Sequence, residues 1–138
     1  MLRLGFAVML VAVAGYAAQP KSDSDALQGK WKGHDSGSDG SGSASLVVTG
    51  AKLEFRGADT NEWYKATFTL QEDKNPKQLI AVVTDSAAPQ YVGKKANAIY
   101  QIKDGKLTIS AKEPGNPDVP TAFEGPDTRT IVFKREKP

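Results

Sequence analysis

After residue 26 the chain is divided into short stretches that alternate apolar with polar residues and end at turn signals. The clearest stretch, residues 64–70, alternates bulky or apolar with polar side chains throughout. A two-residue period puts alternate side chains on opposite faces of a β-strand, whereas a helix needs apolar residues at intervals of three and four. The pattern therefore predicts an all-β fold with little helix.

Turn signals between the stretches predict two hairpins. Gly50-Ala51 separates two apolar stretches by two residues, and glycine at the first position suits a tight hairpin turn. Asp104-Gly105 marks the second hairpin. Residues 113–127 contain four prolines, which cannot donate ladder hydrogen bonds, so we expect a loop there. The predicted strands are one that begins at Gly29 and contains Trp31, and residues 45–49, 52–56, 64–70, 79–83, 98–102, 107–111 and 130–134.

Eight antiparallel strands are enough to close a barrel whose interior is either filled with side chains or wide enough for one small ligand. The run at residues 79–83 is continuously apolar, and we expect it to be covered on both faces. The predicted fold class is all-β, a single antiparallel eight-stranded barrel.

The N-terminus has the pattern of a secretory signal peptide. Arg3 supplies a positive charge, residues 4–14 are apolar and uncharged, and Gly15 and Ala17 are small residues that suit cleavage after position 17. The apolar stretch is shorter than the roughly 20 residues needed to span a bilayer, which favours a cleaved signal over a membrane anchor. We predict export to the periplasm, cell envelope or medium, with no membrane span after cleavage. The predicted organisation is a signal peptide at residues 1–17, a short N-terminal tether at 18–26 and a barrel domain at 27–137. Residues 22–26 could be either part of the tether or a brief helical turn.

Charge and cysteine content exclude several classes of partner. The chain has 18 Lys and Arg against 16 Asp and Glu, and loss of Arg3 with the signal peptide leaves a net charge of +1. The basic residues are scattered, so the clustered patch of a nucleic-acid-binding protein is missing and we expect no nucleic-acid partner. The absence of cysteine excludes disulfides, so the exported chain must be stabilised by packing alone.

Catalytic candidates are few. The one histidine, His34, stands beside Asp35 in a glycine- and serine-rich stretch, residues 33–45, that we expect to be a loop. Catalysis requires preorganised groups, which such a loop does not provide. Asp35 and Asp39 loosely resemble a calcium loop but lack its other oxygen ligands and its terminal Glu. We predict that the protein is not an enzyme and binds neither metal nor cofactor.

Motifs along nearly the whole mature chain together resemble an uncharacterised family of small exported domains abundant in planctomycete bacteria. These motifs are Leu-Gln-Gly-Lys-Trp at 27–31, Asn-Pro-Lys at 75–77, Ala-Ile-Tyr-Gln-Ile at 98–102, Gly-Lys-Leu-Thr-Ile at 105–109 and Phe-Lys-Arg-Glu-Lys at 133–137. The resemblance implies a lipocalin-like β-barrel of unknown function and offers no catalytic or binding residues to carry over. The chain departs from the family pattern at residues 33–45, where the family has a longer segment with less glycine.

Gly29 and Trp31 also resemble the first-strand signature of lipocalins, in which the tryptophan closes one end of the barrel beneath a basic side chain of the last strand. In the predicted last strand Ile131, Phe133 and Arg135 share a face, so Arg135 would follow two inward side chains to the barrel end. We predict that Gly29, Trp31 and Arg135 form a structural closure. The alternative is that Arg135 is a solvated charge in a frayed terminus.

Inward positions of two strands supply candidate ligand-binding residues. By alternation Tyr64 and Phe68 share one strand face, and Tyr100 and Ile102 share another. These side chains could line a pocket for a small apolar ligand or simply pack the core. A buried tyrosine hydroxyl needs a partner, which a cavity can supply. We predict non-catalytic binding of a small apolar ligand in the barrel.

The alternative function is an interaction or structural module of the cell envelope, built on a packed barrel. Trp63 falls on the opposite strand face from Tyr64 and could be an exposed aromatic anchor for a partner protein. The proline-rich segment (residues 113–127) could be a second contact surface. Trp63 could equally cap the edge of the core.

Overall fold

The computed structural model describes residues 22–36 and 43–136. Eight antiparallel strands follow one another around a closed barrel, and β1 completes it by pairing with β8. The strands are β1 (Gly29–Asp35), β2 (Ala44–Thr49), β3 (Lys52–Arg56), β4 (Trp63–Gln71), β5 (Gln78–Ser86), β6 (Lys95–Lys103), β7 (Lys106–Ala111) and β8 (Arg129–Arg135). A short helix, α1 (Asp23–Leu27), precedes β1, and a 3-10 turn (Pro89–Tyr91) lies between β5 and β6. The predicted fold class is confirmed, and the up-and-down barrel of eight strands is the architecture that lipocalins have.

Both predicted hairpins are present. Gly50 has a φ of +62° in the β2–β3 turn, and Asp104 and Gly105 both have positive φ between β6 and β7. Two consecutive residues with positive φ match the right-handed twist of paired strands. The proline-rich segment contains no strand, as predicted.

The strand that is covered on both faces is β6, not β5 as the sequence predicted. In β5 Leu79, Ala81 and Val83 are buried, but Val82 on the outer face is 38% exposed, so the prediction for residues 79–83 is wrong. In β6 the outward residues Asn97 and Ile99 are buried. The proline-rich segment is bonded to Asn97 and to Ser110, the cross-strand neighbour of Ile99. An apolar run cannot reveal such a cover, because it comes from a distant part of the chain.

The predicted loop at residues 33–45 is shorter than expected, since β1 continues to Asp35 and β2 begins at Ala44. Gly33 pairs with Phe133 of β8. A Cβ atom at Gly33 would lie 2.4 Å from the carbonyl oxygen of Val132. Glycine here therefore permits close packing of two strands, whereas the sequence suggested a flexible segment.

The barrel has two unlike ends, which we call the floor and the mouth. The floor is covered by α1, whose N-cap residue Ser22 accepts a hydrogen bond from the backbone N–H of Asp25 at 3.1 Å. Of the two alternatives for residues 22–26, the structure has the helical turn. The β3–β4, β5–β6 and β7–β8 connections surround the mouth.

No helix within residues 22–36 and 43–136 is long and apolar enough to cross a membrane. The predicted signal peptide, residues 1–17, lies outside the described residues.

Candidate functional site

The barrel interior contains a cavity of about 520 Å³ that opens at the mouth. Cavities that bind small molecules in proteins have volumes of roughly 300–1,000 Å³ and mostly apolar walls. The large apolar side chains of this wall include Leu46, Leu53, Phe55, Leu79, Ile131 and Phe133. The interior is therefore apolar and large enough for one small molecule.

The cavity exists because neighbouring strands carry alanine where a filled barrel would carry larger side chains. Ala81 of β5 pairs with Ala96 of β6, and Ala98 of β6 pairs with Ala111 of β7. All four line the cavity. They were not among the predicted site residues. The signal that could have identified them is alanine at alternating inward positions of adjacent strands.

Tyr64 is the predicted ligand-binding residue that the structure places in the cavity wall, near the mouth. Its ring packs against Phe55 with 5.4 Å between centroids. Burial raises the pKa of the Tyr64 hydroxyl, with a smaller opposing effect of Arg129. Its hydroxyl makes no hydrogen bond to any described residue, which leaves it available to a polar atom of a bound molecule.

The other three predicted ligand-binding residues, Phe68, Tyr100 and Ile102, are not in the cavity wall. Phe68 and Tyr100 are buried in the core and Ile102 packs against it. The Tyr100 hydroxyl donates to Oδ2 of Asp23 at 2.7 Å. Because α1 supplies this partner, the hydroxyl that suggested a ligand is already satisfied by the protein.

Asp23 joins α1 to the floor through two hydrogen bonds. Its Oδ2 accepts from Tyr100 and, at 2.9 Å, from the Nζ atom of Lys77. Burial acts to raise the pKa of Asp23, but the bonds from Lys77 and Tyr100 outweigh it and hold the pKa below its ordinary value. Burial and the bond to Asp23 raise the pKa of Tyr100. The cluster is structural and keeps the floor closed.

The structure brings the three predicted closure residues together at the floor. The Arg135 guanidinium lies 4.3 Å from the centroid of the Trp31 ring and donates to the backbone carbonyls of Ala26 and Gln28. Trp31 is 2% exposed, and its Nε1 donates to the carbonyl of Leu27 at 2.9 Å.

Gly29 makes room for this closure. Its φ of +118° is one that L side chains rarely adopt, and a Cβ atom there would lie 2.8 Å from an Arg135 guanidinium nitrogen. Arg135 therefore connects the last strand to the helix that covers the floor.

At the mouth, Arg129 is held between two carboxylates. Its Nε and one terminal nitrogen donate to Asp35 at 2.7 and 3.2 Å, and its terminal nitrogens donate to Glu62 at 2.7 and 3.4 Å. The guanidinium lies 5.5 Å from the ring centroid of Phe55. The hydrogen bond from Arg129 lowers the pKa of Asp35, and the bonds to both carboxylates raise that of Arg129. We call Asp35, Glu62 and Arg129 the mouth clamp; none was singled out for this role from the sequence.

Trp63 lies partly buried at the mouth and also lines the cavity, with the Arg56 guanidinium 5.8 Å from its ring centroid. The proline-rich segment folds back on the outside of the barrel. Asn97 of β6 donates to the carbonyl of Pro117 at 3.2 Å, and Ser110 of β7 donates to that of Phe123 at 3.2 Å. Much of this segment is therefore engaged with its own barrel.

His34 is exposed on β1 rather than on a loop. Within residues 22–36 and 43–136, no three His, Asp or Glu side chains are grouped as a metal ion would require. Asp39, considered above with Asp35 as a calcium ligand, lies outside the described residues.

Comparisons with protein-family models and with curated proteins gave no match. Among solved structures, the chain is similar to a crystal structure of a mutant of the fluorescent protein UnaG. The two share 14% sequence identity at a TM-score of 0.41, over 83% of this chain and 99% of that chain.

Proposed function

We propose that this protein is an exported, non-catalytic binding protein that holds one small apolar ligand in its barrel. The observation that carries the proposal is the apolar cavity of about 520 Å³, open at the mouth. An eight-stranded barrel that only had to fold would be expected to fill this space with side chains, because interiors pack to near-crystalline density. The paired alanines keep the space open instead.

Export is part of the proposal and is supported by the N-terminal sequence pattern, in which a charged start precedes a short apolar run and small residues. The resemblance to the planctomycete family stays a prediction. The alternative, a packed barrel that serves as an envelope interaction module, has less support, because the proline-rich segment offered as its contact surface packs on β6 and β7.

Native mass spectrometry of the protein purified from its own cells tests the proposal. We expect a discrete added mass that organic extraction removes and that Ala98→Leu reduces, because the larger side chain occupies the cavity. Ala122→Leu is the matched control, since Ala122 is exposed on the proline-rich segment. A protein that carries no extractable mass would contradict the proposal and direct attention to protein partners.

A further inference from the structure

We propose that the ligand of this cavity carries a cationic polar end, such as an amine, and that the mouth clamp makes the site reject carboxylates. This inference rests on the proposed function, because it assigns the chemistry of a ligand in the same cavity. It follows from how the charged side chains at the mouth are paired.

Among residues 22–36 and 43–136, five charged side chains line the cavity, three acidic and two basic. They are Glu62, Lys112, Glu113, Asp127 and Arg129. The formal charges of these five side chains sum to −1. Asp35, which forms an ion pair with Arg129, brings the sum to −2. Lys94 and Lys95 are close to this end of the barrel but do not line the cavity.

Both lining cations already have partners within the protein. Four contacts of Arg129 go to Asp35 and Glu62, and a guanidinium has only five N–H groups. Lys112 donates to the carbonyl of Pro126 at 2.9 Å. A ligand carboxylate at the mouth would therefore meet an Arg129 that is already paired with two carboxylates, a Lys112 that is partly engaged, and an excess of negative charge.

The carboxylates at the mouth, in contrast, can accept further hydrogen bonds. An ionised carboxylate has about four lone-pair sites, and among the described residues each oxygen of Glu62 accepts from Arg129 alone. Tyr64, which also lines the cavity, adds an aromatic ring and a hydroxyl that has no hydrogen-bond partner among the described residues. Carboxylates, a hydroxyl and an aromatic face together suit an ammonium group.

Glu62 is positioned for this role by Gly57. A Cβ atom at Gly57 would lie 1.6 Å from Oε1 of Glu62, so the carboxylate packs directly on the glycine backbone. The two residues are also joined by a backbone hydrogen bond of 2.7 Å from Gly57 N–H to the Glu62 carbonyl. The Gly57→Ala variant would displace the Glu62 carboxylate and loosen its hold on Arg129 without changing any charge.

The test compares three probes with the same ten-carbon chain at neutral pH: decylamine, which is protonated to an ammonium, 1-decanol and decanoate. Calorimetric titration of the full folded protein measures each affinity, with probe concentrations below micelle formation. We expect the ammonium probe to bind about tenfold more tightly than decanoate, and this ratio to fall as salt is added. The inference is overturned if decanoate binds as tightly as the ammonium probe or more tightly.

Variants of the mouth clamp must then shift the preference. In Glu62→Gln one negative charge is lost and a terminal nitrogen of Arg129 is released, so decanoate binding should strengthen by about tenfold relative to decanol binding. Gly57→Ala should move decanoate binding in the same direction. Asp59→Asn is the control, because it makes the same charge change on the same connection outside the cavity wall, and the Asp59 carboxylate accepts from the backbone N–H of Asn61 rather than from Arg129.

Decanol separates failure of this inference from failure of the proposed function. If decanol binds but the ammonium probe binds no more tightly than decanoate, the cavity takes apolar ligands and the inference of a cationic end is wrong. If none of the three probes binds, the proposed function itself fails. Retained decanol binding in the variants also shows that they are folded.

Discussion

Arg135 lies directly opposite Trp31 in the register of β8 and β1, with its guanidinium 4.3 Å from the centroid of the indole ring. The same guanidinium donates to two carbonyls at the C-terminal end of α1. One side chain thus joins the first strand, the last strand and the helix that covers the floor.

The Arg135→Ala variant should therefore lose stability. A cation–π contact at an exposed position and hydrogen bonds to carbonyls together contribute roughly 1–2 kcal/mol. We expect a decrease of that size in the free energy of unfolding, measured by denaturant titration. Lys134→Ala is the matched control, because the neighbouring side chain is exposed and should change stability by less than about 0.5 kcal/mol. Equal losses in the two variants would mean that the contacts of Arg135 with Trp31 and with the carbonyls of α1 contribute nothing measurable.

A pair of alanine substitutions distinguishes an open cavity from a packed core. Ala98 and Ala66 are both buried in the barrel, but only Ala98 lines the cavity. Ala98→Leu should leave the free energy of unfolding unchanged or raise it by about 1 kcal/mol, because the added atoms fill empty space. Ala66→Leu should lower it by roughly 1–3 kcal/mol through overpacking. Similar destabilisation by both substitutions, measured by thermal or denaturant unfolding, would show that the space at Ala98 is already filled.

The floor cluster predicts a particular dependence of stability on pH. The folded pKa of Asp23 lies below its ordinary value of 3.8. Its carboxylate therefore stabilises the fold above that value, and the contribution is lost as pH falls from there through the folded pKa. Asp23→Asn should be less stable than the native protein at neutral pH, and the difference should shrink progressively below pH 3.8.

Asp25→Asn provides the comparison for this pH series, because Asp25 is in the same helix with an exposed side chain. At neutral pH its stability should stay within about 0.5 kcal/mol of that of the native protein. A constant difference between native protein and Asp23→Asn at every pH would contradict the role assigned to the ionised carboxylate.

We expect the two tryptophans to differ in how strongly iodide quenches their fluorescence. Trp31 is 2% exposed at the floor, whereas Trp63 is only partly buried at the mouth. We expect one protected and one quenched component of the fluorescence, and only the protected component should survive in Trp63→Phe. Decanol should reduce quenching of Trp63, since that residue lines the cavity. Uniform strong quenching of both components would contradict the closed floor.

The strands could be predicted from the sequence because alternation and turn residues are local signals. Alternation in the last strand also predicted that Arg135 shares a face with Phe133. Tyr100 was misassigned because its partner Asp23 is 77 residues away and lies on a helix that looked like a tether. The partners of Arg129 in the mouth clamp are 94 and 67 residues away and meet only when the barrel closes. The cavity depends on small residues that face one another across neighbouring strands. Which residues face one another is set by the register of strand pairing, and local sequence signals do not show it.

The most direct test of a ligand in the barrel is an NMR titration of the protein, labelled at its alanine methyl groups, with 1-decanol. We predict saturable shifts at Ala81, Ala96, Ala98 and Ala111, which line the cavity, and little change at Ala66, which is buried outside it. Shifts confined to surface alanines, or none at any alanine at the highest soluble decanol concentration, would contradict the account.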